Sequence, residues 1–411
     1  MRFFFPDSQD QIDPGFDFHT EQTSEFRVRQ RDDRYAHEVL SRPAYDGLLV
    51  SKPIVDGLPG ASGKYTNAQR HRLYRIGVRR FFRLDQPGTP IASMADCGAF
   101  TYVREETPPY TVEEVVDFYE GCDFDFGISV DHVILGYDAS DSAEAVRDWA
   151  RRQRLTLDLA AEFRDYHRTH NCRFHPLGVA QGWSPRSYAA AVAELQDLGY
   201  DYIALGGMVP LKTPQIADCV NAVSDVRHST TRLHLLGISR CEQIPAFEGK
   251  GVASFDTTSP FRQAFKDDRD NYYVLDRAYA AIRVPQVDGN TRLRLRIRAG
   301  RVDQAKARTA EQRCLTRLAA FDVGKGSVKG VLDALSAYAD IVEPERDYSV
   351  QHRELLEAAP WRTCDCGICQ RVGIQVCVFR GTERNKRRGF HNLCVFSKRL
   401  IDNVESKETV N

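Results

Sequence analysis

Phe174-His175-Pro176-Leu177-Gly178-Val179-Ala180-Gln181-Gly182-Trp183-Ser184-Pro185, read on to Gly207, contains one complete strand–helix–strand unit. Phe174–Gln181 is a nearly continuous apolar run, as expected of a strand buried on both faces of a parallel sheet. Ser184 and Pro185 read as an N-cap and first-turn proline, Pro185–Leu198 as a helix and Gly199 as its stop. Tyr202–Gly206 then supplies the next strand. The same pattern recurs at Leu48–Ser51, Phe81–Asp85, Ser93–Phe100, Phe126–Leu135, Leu233–Ser239 and Gly251–Asp256, making eight expected strands. Helices are expected at Val112–Phe118, within Ser142–His170, at Pro214–Val223 and, briefly, after Arg240. This alternation predicts an α/β fold, a (β/α)8 TIM barrel; a doubly wound open sheet is the main competitor.

With 411 residues the chain accommodates one barrel of roughly 250 residues and its additions. The expected division is 1–345 for the catalytic barrel with additions, its core about 45–260, and 346–411 for a metal-binding subdomain and C-terminal helix. Apolar residues make up 42% and charged residues 27%, which excludes a disordered or fibrous chain. A net charge of -1 excludes a global basic field, so any polyanion must be held by a local patch. Cys97, Cys122, Cys172, Cys219, Cys241 and Cys314 are scattered singly, which suits a reducing cytoplasm better than a disulfide framework. The apolar run after Met1 is far too short for a signal peptide, and no stretch reaches the ~18 apolar residues of a membrane span. A cytoplasmic protein without a membrane partner is expected.

Several expected strands end in small or acidic residues: Asp96-Cys97-Gly98, Asp131, Gln181-Gly182, Gly206-Gly207 and Asp256. In a barrel these would converge on the C-terminal rim, where active sites form. Near the other end of the chain, Cys364, Cys366 and Cys369 lie within six residues, and His391 follows. Three thiolates and an imidazole make a closed tetrahedral Zn2+ site, which holds structure rather than water for chemistry. Cys394 is a substitute fourth ligand. Two basic clusters complete the picture. In Thr291–Arg301, alternation predicts a half-buried strand with Arg292, Arg294, Arg296 and Arg298 on its exposed face. Arg384-Asn385-Lys386-Arg387-Arg388 precedes His391, and the two clusters together predict a phosphate-binding surface.

The zinc ligands and strand-end residues together resemble the tRNA-guanine transglycosylase family. The resemblance implies a (β/α)8 barrel with a zinc subdomain, and exchange of guanine in nucleic acid for a 7-deazaguanine. Met94–Phe100 resembles the family's D-S-G-G-F-Q segment, Val179–Gly182 its V-Q-G, Leu205–Leu211 its glycine pair, and Ser254–Ser259 the segment of the nucleophilic aspartate. It follows by resemblance that Asp256 is the nucleophile and Asp96 the general acid/base that also holds the base. Asp131, Gln181, Gly206, Gly207, Met208 and Cys97 would bind the base, and Zn2+ would be structural. Cys97, Ala99 and Thr101 depart from the family's Ser, Gly and Gln, so details of the pocket differ. Lys212 falls near a glutamate that suits a cationic aminomethyl base, which favours the neutral 7-cyano-7-deazaguanine (preQ0). Val209-Pro210-Leu211, the missing archaeal-type tRNA-binding domain and the opening Phe5–Asp10 look most like the DpdA branch, which modifies DNA in modification and restriction systems. DNA, a 7-deazaguanine base and other proteins of such a system are the implied partners. A tRNA-acting enzyme and a noncatalytic nucleic-acid-binding subunit are the alternatives, and a zinc hydrolase is a weaker third.

Overall fold

Eight parallel strands close on themselves in the computed structural model of the chain, in the order β1 to β8 with β1 against β8. They are β1 (Arg2–Pro6), β2 (Gly47–Ser51), β3 (Ala92–Asp96), β4 (Phe126–Ile128), β5 (His175–Ala180), β6 (Tyr202–Leu205), β7 (Arg232–Leu235) and β8 (Val252–Asp256). The structure describes residues 1–85, 90–140, 146–240, 243–266 and 269–408, without the side chains of residues 244, 245 and 403–408. Cys241 and the expected helical residues 142–145 lie outside the described residues. The fold is the (β/α)8 barrel that the alternation predicts.

One strand of the expected set is replaced by another. Phe81 and Phe82 form the last turn of the helix Asn67–Phe82, not a strand. Thr66 caps that helix by accepting from the Gln69 amide, and Arg83 ends it at φ 57°. Gly77, at φ 76°, breaks the helix, and beyond the break Val78, Phe81 and Phe82 are fully buried at helical spacing, so the apolar run belongs to a helical face. The missing strand is β1 at the very start of the chain. Phe3, Phe4 and Phe5 are buried there, each gaining about 1.5–3 kcal/mol from burial. Three expected strands also shorten. β3 gives way after Asp96 to a 3-10 turn at Ala99–Tyr102, β4 stops at Ile128, leaving Ser129–Leu135 outside the ladder, and β7 ends at Leu235 rather than Ser239.

Phe4, Leu49, Met94, Ile128, Leu177, Val179, Tyr202 and Ala204 form one buried cluster, with Phe126, Leu236 and Ala253 against it. These residues come from alternate positions of successive strands, as the inward face of a barrel requires.

The chain divides into two compact units. The first holds Met1–Gln9, Tyr45–Thr258 and the residues from Asp402; the second holds Asp10–Ala44 and Ser259–Ile401. The expected boundary at 345 therefore falls inside the second unit, whose first part is the insertion between β1 and β2. The described cysteines are free. No helix among the described residues is long and apolar enough to cross a membrane.

The second unit corrects both basic clusters. Thr291–Arg298 is a helix capped by the Asn290 side chain, which accepts from the Leu293 amide at 3.0 Å. Alternation of Arg with Leu and Ile therefore does not mark a strand here; with helical rotation, Arg292, Arg294 and Arg298 are exposed and Arg296 is half-buried against the Val342 carbonyl. The second cluster faces inward on the helix Gly381–Glu408. Arg387 donates to the Asp13 carbonyl at 2.5 Å and to Glu383 at 2.6 Å. Arg388, fully buried, donates to the carbonyls of Ala264, Val376 and Val378. Lys386 donates to the Gln11 carbonyl at 2.7 Å. Lys386, Arg387 and Arg388 are thus internal cross-links for buried carbonyls rather than an open phosphate surface.

Arg384 is likewise internal, and shares Glu21 with Arg380. Arg380 approaches the Glu21 carboxylate with two nitrogens at 2.6 and 2.7 Å, and Arg384 reaches it at 2.5 Å. Burial alone would raise the Glu21 carboxyl, but hydrogen bonds from Arg380 and Gln286 hold it down at about 2. Removing that charge leaves the buried Arg384 guanidinium without a carboxylate partner and Arg380 with Glu311 alone. Glu21→Gln is expected to cost about 3–5 kcal/mol at neutral pH, measured by denaturant unfolding. The sign follows from the lowered pKa: Glu21's contribution is present above its ordinary pKa and is lost as pH falls towards about 2, so the difference between variant and parent shrinks in acid. A variant as stable as the parent at pH 7 would refute this account.

Candidate active site and metal centre

The C-terminal ends of β3, β5, β6 and β8, with the loop after β4, bring the strand-end residues to one rim of the barrel. Asp96 ends β3, and its carboxylate accepts from the Ser51 hydroxyl at the end of β2 at 2.7 Å. Burial pushes the Asp96 carboxyl up; hydrogen bonds from Ser51 and the Gly98 amide oppose this, and the nearby Asp256 carboxylate adds to the rise. The two aspartates therefore sense each other across the same mouth, although 160 positions separate them in sequence (256 − 96).

Asp131 sits just beyond β4 and is 3% exposed. Cys97 donates to its Oδ1 at 3.0 Å, and the Gln181 side-chain amide donates to its Oδ2 at 2.6 Å. The Gln181 carbonyl oxygen in turn accepts from the Ile134 amide at 3.1 Å. Burial pushes Asp131 up to about 7 despite the bond from Cys97, and the Asp96 charge reinforces the rise. Gly206 and Gly207 complete this wall. A Cβ on Gly206 would lie 2.2 Å from the Gln181 amide nitrogen, and one on Gly207, at φ +72°, would lie 2.2 Å from the Ile134 carbonyl. The glycine pair is therefore required by close approach to Gln181 and its loop. Both polar backbone groups of Gly206 are engaged, the amide with Ala180 and the carbonyl with the Tyr188 hydroxyl. Met208 is fully buried and Lys212 is exposed at the start of the next helix. Phe100 is 50% exposed on the turn after Asp96.

Asp256 ends β8 and is 7% exposed. Its Oδ1 accepts from the Gly237 amide at 2.9 Å and lies 3.3 Å from His234 Nε2. Oδ2 has no hydrogen-bond partner among the described residues. Behind it, His234 Nδ1 is 2.5 Å from the Ser254 hydroxyl, which is 2.5 Å from the Tyr202 hydroxyl. Sequence reasoning missed His234 and Tyr202. A histidine inside an apolar strand, two positions before Leu236-Gly237, was the available signal, but its partner on the neighbouring strand depends on register.

In the second unit, one ligand atom each from Cys364, Cys366, Cys369 and His391 all lie within 4.8 Å of one another. His391 Nδ1 is 3.5, 3.5 and 3.4 Å from the three sulfurs. Zinc bond lengths of ~2.3 Å to sulfur and ~2.05 Å to nitrogen at a tetrahedral angle place S and N ~3.6 Å apart, so this spacing fits an ion at the centre. The His391 Nε2–H donates to the Tyr273 carbonyl at 2.8 Å, which turns the unprotonated Nδ1 towards the sulfurs. Tyr272 stacks on the imidazole at 4.1 Å. Cys394 is buried nearby in sequence but does not belong to the cluster. Four protein donors leave no position for a reacting water.

A DNA-guanine transglycosylase of Salmonella montevideo is 46% identical over 407 residues, spanning 97% of this chain and 96% of that protein. A tRNA-guanine(15) transglycosylase of Methanobrevibacter smithii is 28% identical over 206 residues, 49% of this chain and 29% of that protein. No family model matches the chain. With the barrel, the facing carboxylates and near full-length similarity in hand, the chain belongs to the tRNA-guanine transglycosylase family, in its DpdA branch, and is a glycosyltransferase of the pentosyl-transferring kind.

Proposed function

We propose that the protein exchanges guanine in DNA for a 7-deazaguanine through a covalent aspartyl–nucleoside intermediate. The observation that carries the reading is the convergence of Asp96 and Asp256 on one rim, in a chain 46% identical over nearly its whole length to a DNA-guanine transglycosylase. Exchange breaks an N-glycosidic bond at C1′ and remakes one at the same carbon, with an oxocarbenium-like transition state. Asp256 Oδ2, the oxygen without a partner, attacks C1′ as the bond to guanine N9 breaks. Asp96, whose carboxyl is raised by burial and by the Asp256 charge and so is the better proton donor of the pair, gives its proton to the leaving guanine. The incoming deazaguanine returns a proton to Asp96 as its N9 attacks C1′ and displaces Asp256. Two inversions retain the β-nucleoside.

Recognition of the base falls to Asp131, Gln181, Cys97 and the backbone of Gly207 and Met208, since Gly206 is already engaged. An ionised Asp131 accepts from the N–H groups of the guanine edge. Phe100 offers an exposed aromatic face at the rim for stacking. Lys212 disfavours a cationic aminomethyl base, which supports 7-cyano-7-deazaguanine as the incoming substrate. The target guanine must leave its stack to be reached. Arg292, Arg294 and Arg298 remain exposed for phosphate contacts; Lys386, Arg387 and Arg388 do not. The four-ligand cluster would hold Zn2+ as a structural ion that fixes the Cys364–Cys369 turn to the C-terminal helix. Free cysteines are consistent with a reducing cytoplasm, and a place in a DNA modification and restriction system, with protein partners, follows from the branch.

Incubation with labelled 7-cyano-7-deazaguanine and either DNA or tRNA tests the polymer. Label should enter DNA, a protein–DNA adduct that survives detergent denaturation should form, and Asp256→Asn should lose both while keeping its fold and metal. Label entering only tRNA, or full activity of Asp256→Asn, would sink the proposal. The Asp131 pKa gives a second test: base binding should strengthen as pH rises through about 7, because the carboxylate rather than the acid accepts from the base. Affinity independent of pH between 5.5 and 8.5, measured calorimetrically, counts against Asp131 as acceptor (roughly 1.5 units on either side of the transition). Metal analysis should find about one zinc per chain, and Cys366→Ser should lose it together with thermal stability. A zinc-free, fully folded parent protein would remove the metal site.

A further inference from the structure

With Asp256 as the attacking carboxylate and His234 neutral, the polar line running from Asp256 into the barrel has one arrangement of protons that satisfies every member. β7 and β8 pair Leu233 with Val252 but His234 with Ser254, so β8 carries one extra residue, Ala253, at that step. This irregularity sets His234 beside Ser254 while Ser254 and Asp256, two positions apart, share the interior face of β8. Ser254 has a single hydroxyl proton and two neighbours at 2.5 Å, Tyr202 and His234 Nδ1. If His234 carried its proton on Nδ1, its bare Nε2 would face the Asp256 carboxylate at 3.3 Å, lone pair against lone pair. The consistent order is Tyr202 O–H to Ser254, Ser254 O–H to Nδ1, and Nε2–H to Asp256 Oδ1.

We infer that His234, held as the neutral Nε2–H tautomer by Ser254 and Tyr202, is a positioning residue that pins Oδ1 of Asp256 and leaves Oδ2 to attack C1′. Together with the Gly237 amide it gives Oδ1 two donors, and Oδ2 none among the described residues. A neutral donor orients the carboxylate without cancelling its charge, whereas an imidazolium would weaken it as a nucleophile. His234 is fully buried, with the Phe4 ring of β1 edge-on at 6.0 Å. The titratable groups facing it are Asp256 on β8, Asp96 on β3 and Tyr202 on β6. Tyr202 stays a donor because burial pushes its hydroxyl up, against the pull of Ser254 and of the Arg232 guanidinium 4.5 Å over its ring.

This inference rests on the proposed role of Asp256, and the assay is arranged to separate the two. Exchange of labelled 7-cyano-7-deazaguanine into DNA is measured for the full chain and for His234→Ala, His234→Gln, Ser254→Ala and Asp256→Asn. His234→Ala should lower kcat about 100-fold with little change in KM for the base, as expected when a reacting group is misplaced. His234→Gln, whose amide reaches the place of Nε2–H, should recover most of the loss. Ser254→Ala removes the donor to Nδ1 and with it the hold on the ring, so kcat should fall about tenfold with KM for the base little changed. Equal losses in the Ala and Gln variants, or an unchanged kcat in His234→Ala or in Ser254→Ala, would overturn the inference. Should His234→Ala fail to fold by near-UV circular dichroism, the Ser254→Ala split between kcat and KM decides alone. Full activity of Asp256→Asn removes the proposed reaction and this inference together; an inactive Asp256→Asn beside a fully active His234→Ala removes His234 only.

Discussion

Parallel closure of β1 against β8 is the constraint on which the site depends. In a closed parallel barrel every strand ends at the same rim, so residues far apart in sequence are delivered to one mouth without any local signal between them. The pairing of Phe4 with Asp256 in register shows how literal this is, since the last strand is placed by the first few residues of the chain. Phe3 stacks on Phe255 at 5.2 Å on one side of that seam, while Phe4 fills the interior on the other. An apolar N-terminus thus holds Asp256 and its strand at the rim.

Both units bury charge and give it hydrogen-bond partners, but to different ends. In the second unit Arg380 and Arg384 converge on Glu21, while Arg387 and Arg388 are spent on backbone carbonyls, so the guanidinium groups serve as cross-links for an insertion and a helix. In the barrel, the hydrogen bonds end at groups that would react or read a base. Asp131 is met by Cys97 and Gln181, and Asp256 by Gly237 and His234. Burial raises both Asp96 and Asp131, which sets them apart from ordinary surface carboxylates and matches the acid and base work proposed for this rim.

Much of this fold is legible in the sequence, and the failures have common causes. Strands β5, β6 and β8 lie within the expected runs, and β7 overlaps one, because a continuous apolar segment between capped helices suits little besides a strand buried on both faces. Phe81–Asp85 failed because two adjacent phenylalanines satisfy a helical face as well as a strand, and the spacing from Val78 decides between them. Arg2–Pro6 failed because a five-residue run has no period of its own; only pairing with β2 and β8 makes it a strand. Thr291–Arg298 failed because eight residues of strict alternation still place Arg292 and Arg296 on one helical face, and the Asn290 cap was not weighed.

The sequence by itself determined the class of fold, the three clustered cysteines with their candidate histidine and the acidic strand ends, because spacing and residue chemistry are local properties. Only the tertiary structure decided which arginines meet solvent, that His391 rather than Cys394 joins the three cysteines, that Asp96 and Asp256 share one mouth, and that His234, Ser254 and Tyr202 line up behind Asp256. Those facts depend on strand register and on which face is buried, and a shift of one residue in either would send the same side chains elsewhere.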